Sequence, residues 1–244
     1  MSKIHSVAKS VLIIGTLLSA ALASTAMAQE VRYSWVDMSY MSQNADIAGT
    51  KPTPVPGQTV DVKGVDGSGI RFRASAGTWH NLYTFIDFAS TDMDVFAVVI
   101  VDGVEFPADP DEFDYTAVRL GLGYRYPLKF GRDTDLYAEV TYDSIDLDFG
   151  IFAQDQEEFD TDNKDLGGAF GIRAMVNDEL ELRAFGRYTN HGNVDLTSGE
   201  FDADSVYGVG FAWQFIRGFS IVAEYESGEF GSWSVGFRLD LDED

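Results

Sequence analysis

No cysteine occurs anywhere in the 244 residues. A disulfide-stapled fold, a lipid-modified N-terminal cysteine and a thiol catalyst are therefore excluded. Histidine is nearly as scarce: beyond His5 only His80 and His191 occur, which leaves little material for general acid-base chemistry. After residue 28 no apolar run approaches the roughly 20 residues of a membrane-spanning helix, and strong helical amphipathicity is missing as well. Positive charge is short, with 17 Lys and Arg against 40 Asp and Glu, a net of −23. Such a chain repels phosphate, so no nucleic acid is expected as a partner.

What is present begins with a leader. Lys3 and Lys9 precede a mainly apolar stretch from Val11 to Leu22, and Ala26-Met27-Ala28 stands before Gln29. That order reads as a secretory signal peptide over residues 1–28 with an A-x-A cleavage site, and its apolar run is too short to cross a bilayer comfortably. The remainder, 29–244, is long enough for one domain. Without an apolar helix, any membrane insertion must use strands.

Ten segments rich in aromatic and β-branched residues, with turn residues between them, read as strands: about 31–41, 68–77, 82–91, 115–126, 134–145, 165–175, 180–190, 204–215, 219–227 and 232–241. In 180–188, Leu180, Leu182, Ala184, Gly186 and Tyr188 share one face; Glu181, Arg183, Phe185 and Arg187 share the other. Extending that parity to every segment gives an uncharged outer face, including Ala74, Ala76, Ile86 and the aromatics Tyr40, Phe88, Tyr124, Tyr142, Tyr188, Trp213, Tyr225, Trp233 and Phe237. An apolar exterior around a charged interior is the polarity of a barrel set in lipid. The expected fold is all-β, an antiparallel up-and-down transmembrane β-barrel of ten strands. Eight remain the alternative if 31–41 and 219–227 are not strands.

The inward face carries Arg71, Arg73, Arg119, Arg125, Arg173, Arg183, Arg187 and Arg238 with Asp37, Asp87, Glu139, Asp143, Glu181, Glu224, Glu226 and Asp240. Opposite charges in equal number suit a lumen filled by ion pairs, and the planar fork of arginine suits bidentate pairing in a confined space. Asp135, Asp165 and Asp204 share the inward parity but open their segments, so they are expected near water. Inward glycines, among them Gly121, Gly123, Gly171 and Gly208, leave room for long side chains. The structural reading is a plugged lumen; the functional one is a narrow polar pore.

Connections alternate in length. Those at 77–81, 127–133, 176–179 and 216–218 are short, whereas 42–67, 92–114, 146–164 and 191–203 are long. Short periplasmic turns and long extracellular loops are the habit of outer-membrane barrels, which places both chain ends in the periplasm and the acidity outside. Residues 92–114 hold eight acids and no base. Within the loops, Asp109, Asp111, Asp160 and Asp162 are weak candidates for a hard divalent cation; neither stretch has the EF-hand glycine and terminal glutamate. Calcium or magnesium bridging the loops to lipopolysaccharide is the broader expectation. Asp102-Gly103 between β-formers signals a hairpin that extends the sheet above the membrane, and 51–57 reads as a proline-rich linker.

Arg119-Leu-Gly-Leu-Gly-Tyr124, Gly168-Ala-Phe-Gly-Ile-Arg173 and Ser234-Val-Gly-Phe-Arg238 make the chain resemble the small outer-membrane β-barrel proteins of the OmpA/OmpX-like, porin-family type. The resemblance implies insertion by the outer-membrane assembly machinery, outer-membrane lipid and lipopolysaccharide as surroundings, and no cofactor. That machinery usually reads a last strand ending in an aromatic; here Phe237 and Leu239 lie internally, before Arg-Leu-Asp-Leu-Asp-Glu-Asp244 is complete. The implied function is a structural surface protein or narrow porin-like channel, not an enzyme. An omptin-like outer-membrane protease is one alternative, using Asp92, Asp94 and His191, although Thr189 stands where that pattern has an aspartate. A soluble periplasmic ligand-binding barrel is the other, and it requires an apolar interior.

Overall fold

A computed structural model of the protein describes residues 33–45, 49–52, 55, 57–78, 80–108, 111–128, 133–149, 163–195, 200–228 and 230–241. Twelve strands follow in chain order: β1 (Trp35–Ala45), β2 (Gly49–Pro52), β3 (Gln58–Gly77), β4 (Leu82–Val101), β5 (Val104–Pro107), β6 (Asp111–Leu128), β7 (Thr134–Phe149), β8 (Asn163–Met175), β9 (Leu180–Asp195), β10 (Glu200–Ile216), β11 (Phe219–Ser227) and β12 (Phe230–Asp240). Each of the ten long ones is hydrogen-bonded antiparallel to two others. The ring runs β1-β12-β11-β10-β9-β8-β7-β6-β4-β3 and closes where β3 meets β1. Closure leaves the wall without an edge, the condition for placing strands in hydrocarbon. The strand number is ten, since the two doubtful segments became β1 and β11.

Alternating exposure separates the faces. Along β1, Asp37 and Ser39 are 2% and 3% exposed, while Met38 and Tyr40, which alternate with them, are 65% and 51% exposed. Ala74, Ala76 and Ile86 share the outward parity yet are buried.

The ends differ as well. Short turns link β3 to β4, β6 to β7, β8 to β9 and β10 to β11, and β1 begins and β12 ends at that same end. Local chemistry shapes the β3–β4, β8–β9 and β10–β11 turns. His80 and Asn81 both adopt positive φ. Asn177 Oδ1 accepts hydrogen bonds from the backbone N–H groups of Glu179 and Leu180 at 2.8 Å, and Gly218 takes φ 78°. At the opposite end Asp102 and Gly103, at φ 51° and 81°, form the two-residue turn between β4 and β5.

Three connections expected as long loops, 42–67, 92–114 and 191–203, are mostly strand. β3 and β4 pair from Gly77↔Tyr83 up to Gln58↔Val101. Asp61, Lys63, Gly64, Asp66 and Gly67 interrupt any apolar period in upper β3, so its pairing with β4 is invisible to a pattern search. β2 and β5 lengthen this one side further, pairing with β3 and β4 respectively.

Candidate functional site: the ion-paired interior

Register brings charges from distant parts of the chain side by side. Across six adjacent strands the directly opposed residues are Arg238, Asp37, Arg73, Asp87, Arg119 and Asp143, a belt of strictly alternating sign. Opposed unlike charges are the favourable cross-strand arrangement. Arg73 Nη2 lies 3.0 Å from Asp37, and Arg119 lies 3.3 Å from Asp87 and 3.0 Å from Asp143.

Arg71, next inward residue to Arg73 on β3, is the hub. Its Nε and Nη2 donate to both oxygens of Asp87, and its Nη1 donates to Glu224 and Glu226 at 2.9 Å each. Glu224 also accepts from Arg73 at 2.9 Å and lies 3.4 Å from Arg183, while Glu226 lies 2.9 Å from Arg187. A second group at the short-turn end joins Arg173 to Glu181 and Arg238 to both Glu181 and Asp240.

Two acids behave differently from expectation. Asp135, expected near water, is inside and lies 3.4 Å from Arg125 while accepting from the Tyr33 hydroxyl at 3.3 Å. Glu139, expected in the ion-pair set, has no arginine partner among the described residues and accepts instead from the Tyr83 hydroxyl at 2.7 Å. The cause is its row: Glu139 is opposed by Gly123 on β6 and Ala169 on β8.

Sequence reasoning placed Phe185 inward but missed the other interior aromatics and the pairing of rings with glycines. Tyr83, Phe85, Tyr137 and Phe185 point inward, and each is directly opposed by a glycine: Gly123, Gly121, Gly171 and Gly208. A Cβ placed on any of the four would lie 2.1 to 2.5 Å from the facing ring. The glycines thus make space for rings rather than for arginines. Arg183 stacks on two of these rings, 5.3 Å from that of Tyr137 and 4.6 Å from that of Phe185, and Arg173 lies 4.4 Å from the ring of Tyr33. The signal lay in the sequence as Gly-x-Gly on the inward parity of β6 and β10.

Among the described residues the bore includes two chambers. One of about 90 Å³ toward the short turns is lined by Tyr33, Trp35, Tyr83, Glu139 and Arg183 among others. One of about 70 Å³ toward the long connections is lined by Met41, Gln43, Tyr115, Ser144 and Thr189 among others. Arg71, Asp87, Arg119, Arg187 and Glu226 border both and form the waist between them.

On the outer surface Tyr40, Tyr124, Tyr142, Tyr188, Trp213, Tyr225, Trp233 and Phe237 are exposed, and Phe88 is half-buried. Above them the outward parity turns acidic. Asp66, Asp94 and Glu112 oppose one another across β3, β4 and β6, and Asp92 opposes Asp114 in the next row; all five are exposed. Asp92 and Asp94 thus sit on the outer wall of β4, with three strands between it and β9, which carries His191. Among the described residues no group of three or more His, Cys, Asp or Glu is arranged to hold a metal ion. Asp109, Asp160 and Asp162, with the side chain of Asp111, lie outside the described residues.

No curated protein matches the chain. Solved structures with a similar outline include the translocator domain of the autotransporter NalP from Neisseria meningitidis, at 15% identity and TM-score 0.42, covering 96% of this chain and 97% of that one. OprG from Pseudomonas aeruginosa is 12% identical with TM-score 0.42, covering 88% and 99% respectively. The toluene transporter TbuX from Ralstonia pickettii is 8% identical with TM-score 0.37, covering 89% and 93%. Likeness at that level carries no functional argument. Residues 14–215, however, match the family described as outer membrane protein beta-barrel domain. With a closed ten-stranded wall that is apolar outside and ion-paired inside, the chain belongs to the outer membrane protein beta-barrel domain family and is a protein of the outer membrane.

Proposed function

We propose that the protein is a surface barrel whose bore is closed at rest by its own ion pairs, and that its outward-facing acidic region meets the partners. The waist carries this reading: five charged side chains from β3, β4, β6, β9 and β11 border both chambers, and Arg71 alone holds three carboxylates there. Side chains fill most of a barrel of about eight strands, and ten strands widen it only slightly. A narrow channel is the second reading, favoured by the chambers on either side of the waist.

Purified barrel added to a planar bilayer separates the two readings. Closure predicts no unitary current above the lipid baseline for the unaltered protein. Stable unitary steps without any substitution would overturn it.

The remaining assignments extend this reading. Residues 1–28 act as a cleavable signal peptide, the short turns lie in the periplasm of a Gram-negative cell, and the assembly machinery inserts the barrel. The exposed rows Asp66-Asp94-Glu112 and Asp92-Asp114 sit at the margin of the apolar wall, where lipopolysaccharide phosphates lie. Like charges directly opposed are unfavourable, so divalent cations shared between these rows and the phosphates are the fitting partners. A catalytic role has no support from Asp92, Asp94 and His191, whose strands are not neighbours.

A further inference from the structure

The chamber toward the short turns is close to electrically neutral. Seven arginines and six carboxylates line it, and Asp143 and Asp240, beyond the lining, pair with Arg119 and Arg238. The total stays within one charge of zero whether or not those two acids are counted. A lone ion of either sign therefore meets no opposing net charge there. Within that balance, two oppositely charged groups keep bonding capacity. Arg183 has one ion pair among the described residues, the 3.4 Å contact of Nη1 with Glu224, and its Nε donates to the neutral Tyr137 hydroxyl at 2.8 Å. Its Nη2 has no partner among the described residues. Glu139 accepts from the Tyr83 hydroxyl through Oε1 at 2.7 Å, which leaves Oε2 without a donor among the described residues.

Glu139 and Arg183 attract each other across this space but form no ion pair with one another among the described residues. Their strands explain why: Glu139 on β7 is opposed by Gly123 and Ala169, whereas Arg183 on β9 is opposed by Arg173 and Gly210. The other unmet buried groups of the lining, Trp35 Nε1, Ser75 Oγ and Arg187 Nε, can all donate. The chamber thus presents spare donors beside a cation and, separately, a carboxylate with a spare oxygen. At about 90 Å³, against on the order of 10 to 15 Å³ for one water, it has space for a solute the size of glycine.

We propose that this chamber binds a small zwitterion of the α-amino acid kind, with its carboxylate on Arg183 and its ammonium on Glu139. Each end then makes a charge-assisted hydrogen bond, the stronger class of such bonds. The rings of Tyr83 and Tyr137, which also line the chamber, offer faces to the ammonium. A zwitterion brings no net charge into the bore, so the ion pairs of the waist keep their balance. The site adds to the proposed closed barrel and does not depend on whether the bore conducts.

The experiment is equilibrium dialysis of radiolabelled glycine against the full barrel in nanodiscs of neutral phosphatidylcholine at neutral pH, with empty nanodiscs as the blank. Saturable uptake approaching one glycine per barrel is expected. Acetate and methylammonium each carry one half of the zwitterion and forfeit one charge-assisted contact. Either should therefore need a concentration about tenfold higher than unlabelled glycine to displace half the label. Glu139→Gln keeps the shape of the side chain and belongs to no ion pair among the described residues; it should weaken glycine binding about tenfold, as should Arg183→Gln. Absence of saturable uptake overturns the proposal. Acetate displacing the label as well as glycine does so too, because the site would then take a lone anion, and equal displacement by methylammonium would make it a lone-cation site. Unaltered glycine affinity in a folded Glu139→Gln barrel also overturns it. The displacement series uses the unaltered protein, so it decides the matter even where neither variant migrates as a folded barrel.

Discussion

Arg71 has the most demanding position of any residue in the interior. Its side chain is 6% exposed and is held by Asp87, Glu224 and Glu226 from two other strands. Replacing it by methionine keeps much of the volume but strands three carboxylates at the waist. Breaking a buried pair by removing one partner costs about 3–5 kcal/mol, so Arg71→Met should lower the urea midpoint strongly in vesicle-embedded protein. Arg71→Lys should fall between, because an ammonium cannot reproduce the two parallel bonds to Asp87. Arg187, with Glu226 as its ion-pair partner and an Nε that lacks a hydrogen-bond partner, should cost less than Arg71 on the same measurement. Lys63 pairs with Asp61 in the open, and Lys63→Ala should leave the midpoint unchanged within error. An Arg71→Met midpoint no lower than that of Lys63→Ala would remove the hub role.

At the level of strands, the glycine-aromatic pairs make neighbouring elements depend on each other. Gly208 on β10 lies under the Phe185 ring on β9, and a Cβ there meets the ring at 2.2 Å. Gly208→Ala should therefore cost about 1–3 kcal/mol through overpacking. Adding Phe185→Leu should restore part of that loss, giving a coupling energy in a double-mutant cycle; simple additivity would show that the ring can move aside. The same pairing explains what a sequence can and cannot reveal. Strict alternation in β9 and in lower β3, β4 and β6 exposes their parity, because lipid on one side and charge on the other impose a period of two. Upper β3 has water on its exposed surface, so no period marks it, and its strand character comes from pairing with β4. Asp135 and Glu139 show a second limit. Parity places both inside, but only the register decides that Asp135 opposes Arg173 and lies within reach of Arg125, while Glu139 opposes glycine and alanine.

The asymmetry of the whole molecule fixes its expected orientation. Four short connections and both ends of the barrel wall share one rim, while β3, β4 and the β4–β5 turn project from the other. The acidic rows lie on that projecting side, so an inverted barrel would point them at the periplasm. Because the chain lacks cysteine, a single introduced thiol reports its own side of the membrane. Glu105 on β5 is 62% exposed in its side chain, and Asp178 lies exposed in the β8–β9 turn. Neither belongs to the interior network, so Glu105→Cys and Asp178→Cys should both assemble and migrate differently unheated and boiled, as a folded barrel does. A membrane-impermeant maleimide applied to intact cells should label Glu105→Cys and leave Asp178→Cys unlabelled until the outer membrane is breached. The reverse labelling pattern would invert the barrel and separate the carboxylate rows from lipopolysaccharide, removing the basis for the cation-bridging partner.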